Sequence, residues 1–355
     1  MSDPALAFRS KKAAQARSRV TVVLGGLAAF VFVLIVPAGF WLFGNGPKTA
    51  NGAPSVFIVE RGDGIASIAK RLRKAKLVRS TLAFRLVASM TDRKGLKPSE
   101  YEIPSGASPS QIAEILVSGE GIRRAVTLPE GWSVSQIYTR LAANEMLSGD
   151  LPPLPPEGSL NPDTYIIQRG DTRAAIIAKM RESQTKILDE MWLQRAPDLP
   201  FRTKGEAVVL ASIVEKETGV AAERPRVAAV FINRLRAGMK LQSDPTIIYG
   251  ITKGAPLRRK IFKSDLENPH PWNTYVIQGL PPTPIANPGK AALAAVLNPP
   301  KSKELFFVAD GTGGHVFAET YAEHVVNVKK WRELRMQEEA KVNALDGGAA
   351  QSDAK

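Results

Sequence analysis

Residues 208–251 read VVLASIVEKETGVAAERPRVAAVFINRLRAGMKLQSDPTIIYGI. At their centre, Val214-Glu215-Lys216-Glu217-Thr218 sets two carboxylates into an otherwise apolar run. From Lys204 to Glu217 the residues are good helix formers. Leu210, Ile213, Val214 and Glu217 fall at i, i+3, i+4 and i+7, one face of that helix. Val208, Ala211, Ser212, Glu215 and Gly219 fall on another face. The first stripe is bulky and reads as core. The second is built of small residues, which leaves room for a bulky ligand beside Glu215. Residues two apart on a helix point about 200° apart, so the two glutamates cannot share one site. Only one can be a catalytic acid, and the small-residue surround favours Glu215. The residues alone leave the bland alternative open, in which both are solvated charges and Glu217 pairs with Arg224.

A second helix is expected over residues 223–238, with Val227, Val230, Phe231 and Leu235 buried, Asn233 and Arg234 near its end, and Gly238 as its C-cap. The next stretch crowds Gln242, Ser243, Asp244, Thr246 and Tyr249 into what reads as a short polar loop. Amides and carboxylates that bind hydroxyls, with a ring that stacks, are the groups a sugar site uses; the plain alternative is an Asp-Pro turn. Residues 270–300 form a long loop with Trp272, Asn273, Thr274 and Tyr275, followed by a short helix. A long ordered loop inside a domain is more often functional than not. Residues 303–328 read as strand, Gly turn, strand and helix.

Upstream, a unit of strand, Gly and amphipathic helix occurs four times. The copies are FIVERGDGIASIAKRL (57–72), YEIPSGASPSQIAEIL (101–116), VTLPEGWSVSQIYTRL (126–141) and YIIQRGDTRAAIIAKM (165–180). Gly62, Gly106, Gly131 and Gly170 stand where the strand must turn, a place suited to positive φ. In three copies a Ser or Thr follows that can cap the helix. Ile68 and Leu72, Ile112 and Leu116, and Ile137 and Leu141 are four apart and share a helix face that packs on the strands. The proline-rich LPPLPPEGSLNPDTY (151–165) reads as an extended connector into the fourth strand.

Residues 20–43 carry no charge. At about 1.5 Å per residue such a helix crosses a bilayer core of about 30 Å. Arg9, Lys11, Lys12, Arg17 and Arg19 precede it against one acid, Asp3, so the positive-inside rule keeps the N-terminus cytoplasmic. A cleavable signal peptide is the weaker reading, because its apolar region is shorter, about 7–15 residues, and ends in a small-x-small site. The expected organisation is a cytoplasmic tail (1–19), a transmembrane helix (20–43) and a linker (44–55). A LysM-like domain (56–120), a connecting βα region (121–200), a catalytic domain (201–340) and a disordered tail (341–355) follow.

The chain of 355 residues has no cysteine, which excludes disulfides, thiolate metal sites and cysteine nucleophiles. His270, His315 and His324 are too far apart for a short metal-ligand motif. The net charge of +14 is spread along the chain, with no basic helix interleaved with aromatics, so nucleic acid is not the expected partner.

ASIVEKETGVAAERPRVAAVFINRLRAGMKLQSDPTIIYG resembles the signature of the YceG-like (MltG-like) endolytic murein transglycosylases. EGSLNPDTY, WNTYVIQGLPPTPIANPG and LFFVADGTGGHVFAETYAEH resemble further segments of that family in the same order. Ser159, Asn161, Trp272 and Val325 depart from its usual residues. The first repeat copy resembles LysM modules, which bind the N-acetylglucosamine backbone of peptidoglycan.

The resemblance implies an α+β protein: a single N-terminal transmembrane helix, LysM-like βα modules and a mixed α+β catalytic domain facing the periplasm from the inner membrane. It implies cleavage of the β-1,4 bond from N-acetylmuramic acid to N-acetylglucosamine in nascent strands. The product ends are 1,6-anhydro-N-acetylmuramic acid, and glycan elongation is terminated. Its implied partners are peptidoglycan strands and peptidoglycan synthases, with no cofactor. The family's catalytic glutamate falls within Glu215-Lys216-Glu217 and is placed on Glu215. Glu217, Asn233, Arg234, Gln242, Ser243, Asp244, Tyr249, Asn273, Thr274 and Tyr275 are the candidates to hold the sugars. Glu215 must then carry a proton at neutral pH, which needs a pKa raised by burial. The rival from another class is a non-catalytic wall-binding scaffold, which would tolerate the loss of Glu215.

Overall fold

The four repeat copies fold on one plan, with the turn glycine three residues before the first helical residue each time. In a computed structural model, which describes residues 33, 39–91 and 95–352, β1 (Ser55–Val59) leads through Gly62 to α1 (Ile65–Lys74). After α2 (Thr81–Thr91), β2 (Ser99–Ile103) leads through Gly106 to α3 (Pro109–Ser118). Then β3 (Arg124–Thr127) leads through Gly131 to α4 (Val134–Ala142), and β4 (Thr164–Ile167) through Gly170 to α5 (Arg173–Leu193). The four glycines have φ of 86°, 79°, 74° and 92°, the left-handed region that a side chain resists. Ser108 and Ser133 close capping boxes with Gln111 and Gln136, and Thr172 accepts the Ala175 N–H. Each such cap is worth about 1 kcal/mol.

The chain divides into two units: residues up to Arg124 with Gln168–Gly170, and Ala125–Ile167 with Asp171 onward. In the first, β1 and β2 pair antiparallel, Ser55 opposite Ile103 and Val59 opposite Ser99. Phe57, Val59, Tyr101 and Ile103 turn inward from this ribbon onto Ile68, Leu72, Phe84, Ile112 and Leu116.

In the second unit β3 pairs with β4. Val126, Tyr165 and Ile167 pack on Ile137, Leu141, Ile177 and Met180. Residues 201–340 and most of residues 121–200 fall together in this unit. Its remaining elements are α6 (Lys204–Glu217), α7 (Arg224–Arg236), α8 (Asp244–Thr252), α9 (Lys263–Glu267), α10 (Lys290–Leu297), the β5–β6 hairpin (Phe306–Ala309 and His315–Ala318) and α11 (Tyr321–Ser352). The residues from Ala207 to Val214 are all buried, so α6 is a central helix apolar all round rather than a surface helix with one wet face. It packs against α7 and α10, with Ile213, Val227, Phe231, Leu293 and Val296 in the shared core.

Two expectations change. The polar loop expected over Gln242–Tyr249 ends at Ser243, and Asp244 opens α8 with Pro245 in its first turn. Proline lacks the N–H that the first turn leaves unused, and an acid favours the positive end of a helix. At the C-terminus, in place of the disordered tail expected from residue 341, α11 continues to Ser352. The expected cytoplasmic tail and most of the expected membrane segment lie outside the described residues. Among the described residues no helix is long and apolar enough to cross a membrane.

Candidate active site

α6 ends at Glu217, where Thr218 turns to an extended conformation. This brings Glu217 to a cavity of about 500 Å³ lined also by Arg234, Gln242, Asp244, Tyr275 and His324, with Phe307, Val308 and Trp331 as apolar wall. The Ser243 hydroxyl donates to Glu217 Oε1 at 2.5 Å. Ser243 is itself fixed: its N–H donates to Thr274 Oγ1 at 2.9 Å, and the Gln242 N–H donates to the Thr274 carbonyl. Gln242 takes φ of 53°, which folds the chain sharply into α8. Tyr275 donates its hydroxyl proton to Asp244 Oδ1 at 2.7 Å.

Burial is the main cause that pushes the Glu217 carboxyl up to about 7. The negative charge of Asp244 adds to it; the Ser243 hydrogen bond, His315 and Arg234 work against it. A carboxylate at the C-terminal end of a helix also faces the negative end of the helix dipole, which acts in the same direction as burial. Arg234 is buried and anchored, donating from Nε to the Leu305 carbonyl and from Nη1 to the Leu241 carbonyl, both at 2.7 Å. Its position is therefore set by backbone and not by whatever enters the cavity.

Glu215 has a different environment. Its carboxylate accepts the Gly289 N–H at 2.9 Å and takes Arg224 Nη2 at 3.4 Å, and its side chain is only 5 % exposed. Burial raises its pKa too, with Glu130 adding and the Gly289 N–H, Arg224 and Lys216 opposing. Around Ser212 and Glu215, the small-residue face expected to admit a ligand is covered by the chain itself. Residues 284–289 run along it, with the Ile285 N–H donating to Ser212 Oγ at 3.0 Å and Pro284 packed where Gly158 meets Val208. Small residues here admit a loop, and the Gly289 N–H of that loop reaches the Glu215 carboxylate.

The other sequence candidates separate into two groups. Arg234, Gln242, Ser243, Asp244 and Tyr275 gather around Glu217, with Thr274 directly behind Ser243. Asn233, Asn273 and Tyr249 do not line that cavity. Asn233 donates to the carbonyls of Ser302 and Glu304, and Asn273 donates to those of Asp265, Leu266 and Asn268, so both are fasteners of loops. Tyr249 donates to Glu157 Oε2 at 3.4 Å.

Two residues with chemistry escaped the sequence reading. Glu157 is buried with a raised pKa, accepting from the Val134 N–H and from Asn287 Nδ2. His324 reaches the cavity from α11, stacked at 5.1 Å on Phe306, with its buried Nδ1 unpartnered among the described residues. The segment AETYAEH carried the signal for His324, but nothing local tied it to Glu217. No group of three or more His, Asp or Glu that could hold a metal occurs among the described residues.

A family model described as YceG-like matches residues 57–330. An endolytic murein transglycosylase of Bacillus subtilis is 28% identical over 325 residues, covering 82% of this chain and 89% of that protein. One of Streptococcus pneumoniae D39 is 28% identical over 332 residues; the match covers 79% of this chain and 59% of the pneumococcal protein's length. A crystal structure of a yceG-like protein of Listeria monocytogenes aligns with a TM-score of 0.48 at 27% identity, over 78% of this chain and 98% of that one. The matched family model spans both units, from the first repeat copy to the start of α11, and the chain belongs to the YceG-like family.

Proposed function

We propose that the chain is an endolytic murein transglycosylase whose acid–base residue is Glu217. The observation that carries the assignment is the position of Glu217: at the wall of a polar cavity, hydrogen-bonded by Ser243, with its carboxyl pushed up to about 7. An acid catalyst works best when its pKa lies near the working pH, because it must be protonated yet ready to give the proton away. Glu215 lacks this freedom, since Arg224 and the Gly289 N–H already hold it.

Protonated Glu217 donates to the glycosidic oxygen between N-acetylmuramic acid and N-acetylglucosamine, and the bond from C1 to that oxygen breaks. The Glu217 carboxylate then accepts the proton of the C6 hydroxyl on the same muramic sugar, and O6 bonds to C1. The products are a free N-acetylglucosamine 4-hydroxyl and a 1,6-anhydro ring, with no water consumed. Most glycosidases need a second carboxylate to act on water or on C1. Here the nucleophile belongs to the substrate, and its effective concentration is high without one. Tyr275, held by Asp244, and Gln242 supply hydrogen bonds to sugar hydroxyls, and Arg234 places positive charge beside the carboxylate that forms.

The reading extends to a protein anchored by residues 20–43 with its catalytic unit outside the membrane, acting beside peptidoglycan synthases to end strand growth. The order of strand, helix, helix and strand in the first unit supports a LysM-like wall-binding role for it.

The test is digestion of isolated peptidoglycan followed by mass spectrometry. Wild type yields anhydro ends, Glu217→Gln none, and Glu215→Gln retains them. Reducing ends from wild type would show a hydrolase that uses a second carboxylate, with Asp244 the group in place. An active Glu217→Gln with an inactive Glu215→Gln would return the acid to Glu215.

A further inference from the structure

A second cavity in the same unit, of about 850 Å³, shares no lining residue with the cavity of Glu217. It lies where α5 faces the first turns of α6, with residues 280–284 closing one side. Its α6 wall ends at Val209, eight residues before Glu217, or about 12 Å along the helix axis.

One buried group in it is unsatisfied. Gln184 is 3% exposed and donates from Nε2 to the Gly158 carbonyl at 3.1 Å. That bond fixes which end of the amide is which. Its Oε1 is buried without a partner among the described residues. A buried acceptor left unpaired costs about 1–3 kcal/mol, so a donor from a ligand has something to gain there. Arg181, one turn before Gln184 on α5, and Lys253 add two cations that no ion pair among the described residues engages. Leu188, Leu280 and Pro281 supply apolar wall.

This lining is poorly suited to a sugar. The Trp272 ring that could stack on one already carries Lys253 Nζ, 3.5 Å from its centroid. The hydroxyls of Ser159, Thr185 and Thr283 donate to backbone carbonyls nearby and are not free to donate to a ligand. The three carboxylates of the lining are engaged within the chain, Asp189 by Lys204, Glu206 by the Arg202 and Thr203 N–H groups and Glu157 by the Val134 N–H and Asn287. That leaves one acceptor for an N–H, apolar and proline surface for an extended chain, and Arg181 and Lys253 for a carboxylate. A short acidic peptide presents these three complements together.

We propose that this cavity binds the acidic peptide borne by the muramic sugars of the strand. The inference rests on murein as substrate. A peptide amide N–H donates to Gln184 Oε1, the chain lies along the proline wall, and a carboxylate meets Arg181 or Lys253. The enzyme would then read peptide-bearing strands through a site separate from the one that cuts.

The test uses two probes and two readouts. N-acetyl-alanyl-γ-glutamate and chitotetraose are titrated into the folded protein while NMR follows the Gln184 side-chain amide and the Trp272 indole N–H. The peptide shifts both resonances and chitotetraose neither. Glu217→Gln binds the peptide as wild type does, and Gln184→Leu binds it at least ten-fold more weakly. Gly205→Phe fills the cavity from a position where a new Cβ meets nothing nearer than Thr203 Oγ1 at 3.9 Å, so it keeps the core intact and also weakens binding at least ten-fold. In digestion, Gly205→Phe slows cleavage of peptide-bearing strands and leaves cleavage of peptide-stripped strands unchanged. No shift with the peptide, equal binding by both variants, or the same shifts with chitotetraose each overturn the proposal. Wild type that cuts neither strand but binds the peptide sinks the transglycosylase reading and leaves the peptide site standing.

Discussion

Glu215 and Glu217 stand two residues apart at the end of α6 and share no hydrogen-bond partner among the described residues. Glu215 is held by Arg224 and the Gly289 N–H, and Glu217 takes a hydrogen bond from Ser243 at the wall of a cavity. The first carboxylate fastens residues 284–289 to the helix; the second lines the cavity with one oxygen held by Ser243.

Removal of Glu217 should therefore cost far more activity than removal of Glu215. Glu217→Gln lowers kcat by about 10²–10⁴, the usual contribution of a positioned acid. Glu215→Gln can still accept the Gly289 N–H but loses its charge beside Arg224. It keeps activity within about ten-fold and loses about 1–3 kcal/mol of stability. Steady-state rates on a soluble glycan strand and urea denaturation of each variant check the two effects separately.

The pH dependence of kcat/KM follows from the Glu217 carboxyl at about 7. The acid must be protonated to act, so the rate is level below that pH and falls about ten-fold per unit above it. A rate that stays level to pH 9 contradicts the assignment.

Ser243→Ala removes a hydrogen bond that favours the charged form of Glu217. The alkaline limb of the profile should move to higher pH, and the rate at pH 6 should fall only modestly. An unmoved limb would show that Ser243 does not touch the titrating group.

Stability carries the same signature. The folded-state pKa of Glu217 is raised above its ordinary 4.5, so the folded state binds a proton that the unfolded chain has released. Its contribution is full below about 4.5 and is lost as pH rises to about 7. The loss amounts to roughly 3 kcal/mol, at about 1.4 kcal/mol per unit. Glu217→Gln removes this dependence, so it gains stability over wild type at pH 8 relative to pH 4. Denaturant midpoints at the two pH values measure the difference.

Gly158 sits at φ of 77°, and a Cβ there would meet Val208 Cγ1 at 2.7 Å and Pro284 at 2.8 Å. Gly158→Ala should destabilise by about 1–3 kcal/mol through overpacking and backbone strain. Gly205→Ala, in open space within the first turn of α6, should be neutral or stabilise by up to about 1 kcal/mol. Thermal denaturation of the pair distinguishes the crowded glycine from the free one.

The sequence by itself determined what depends on neighbours along the chain. The strand, Gly and helix pattern fixed four turns, because positive φ, a four-residue apolar spacing and, in three of them, a capping hydroxyl three residues before its N–H partner are all local. The same kind of signal gave α6 its ends at Lys204 and Glu217, and it separated the two glutamates onto different faces. It did not read Asp244-Pro245 as the start of a helix, since that dipeptide suits a turn equally well. Only the tertiary structure decided what each face meets. The stripe beside Glu215 is covered by residues more than seventy positions away, while Ser243, Tyr275 and His324 arrive beside Glu217 or its cavity from three other segments. Helical periodicity tells which residues look the same way. Burial, and with it the pKa that makes a carboxyl a useful acid, depends on chain that arrives from elsewhere in the fold.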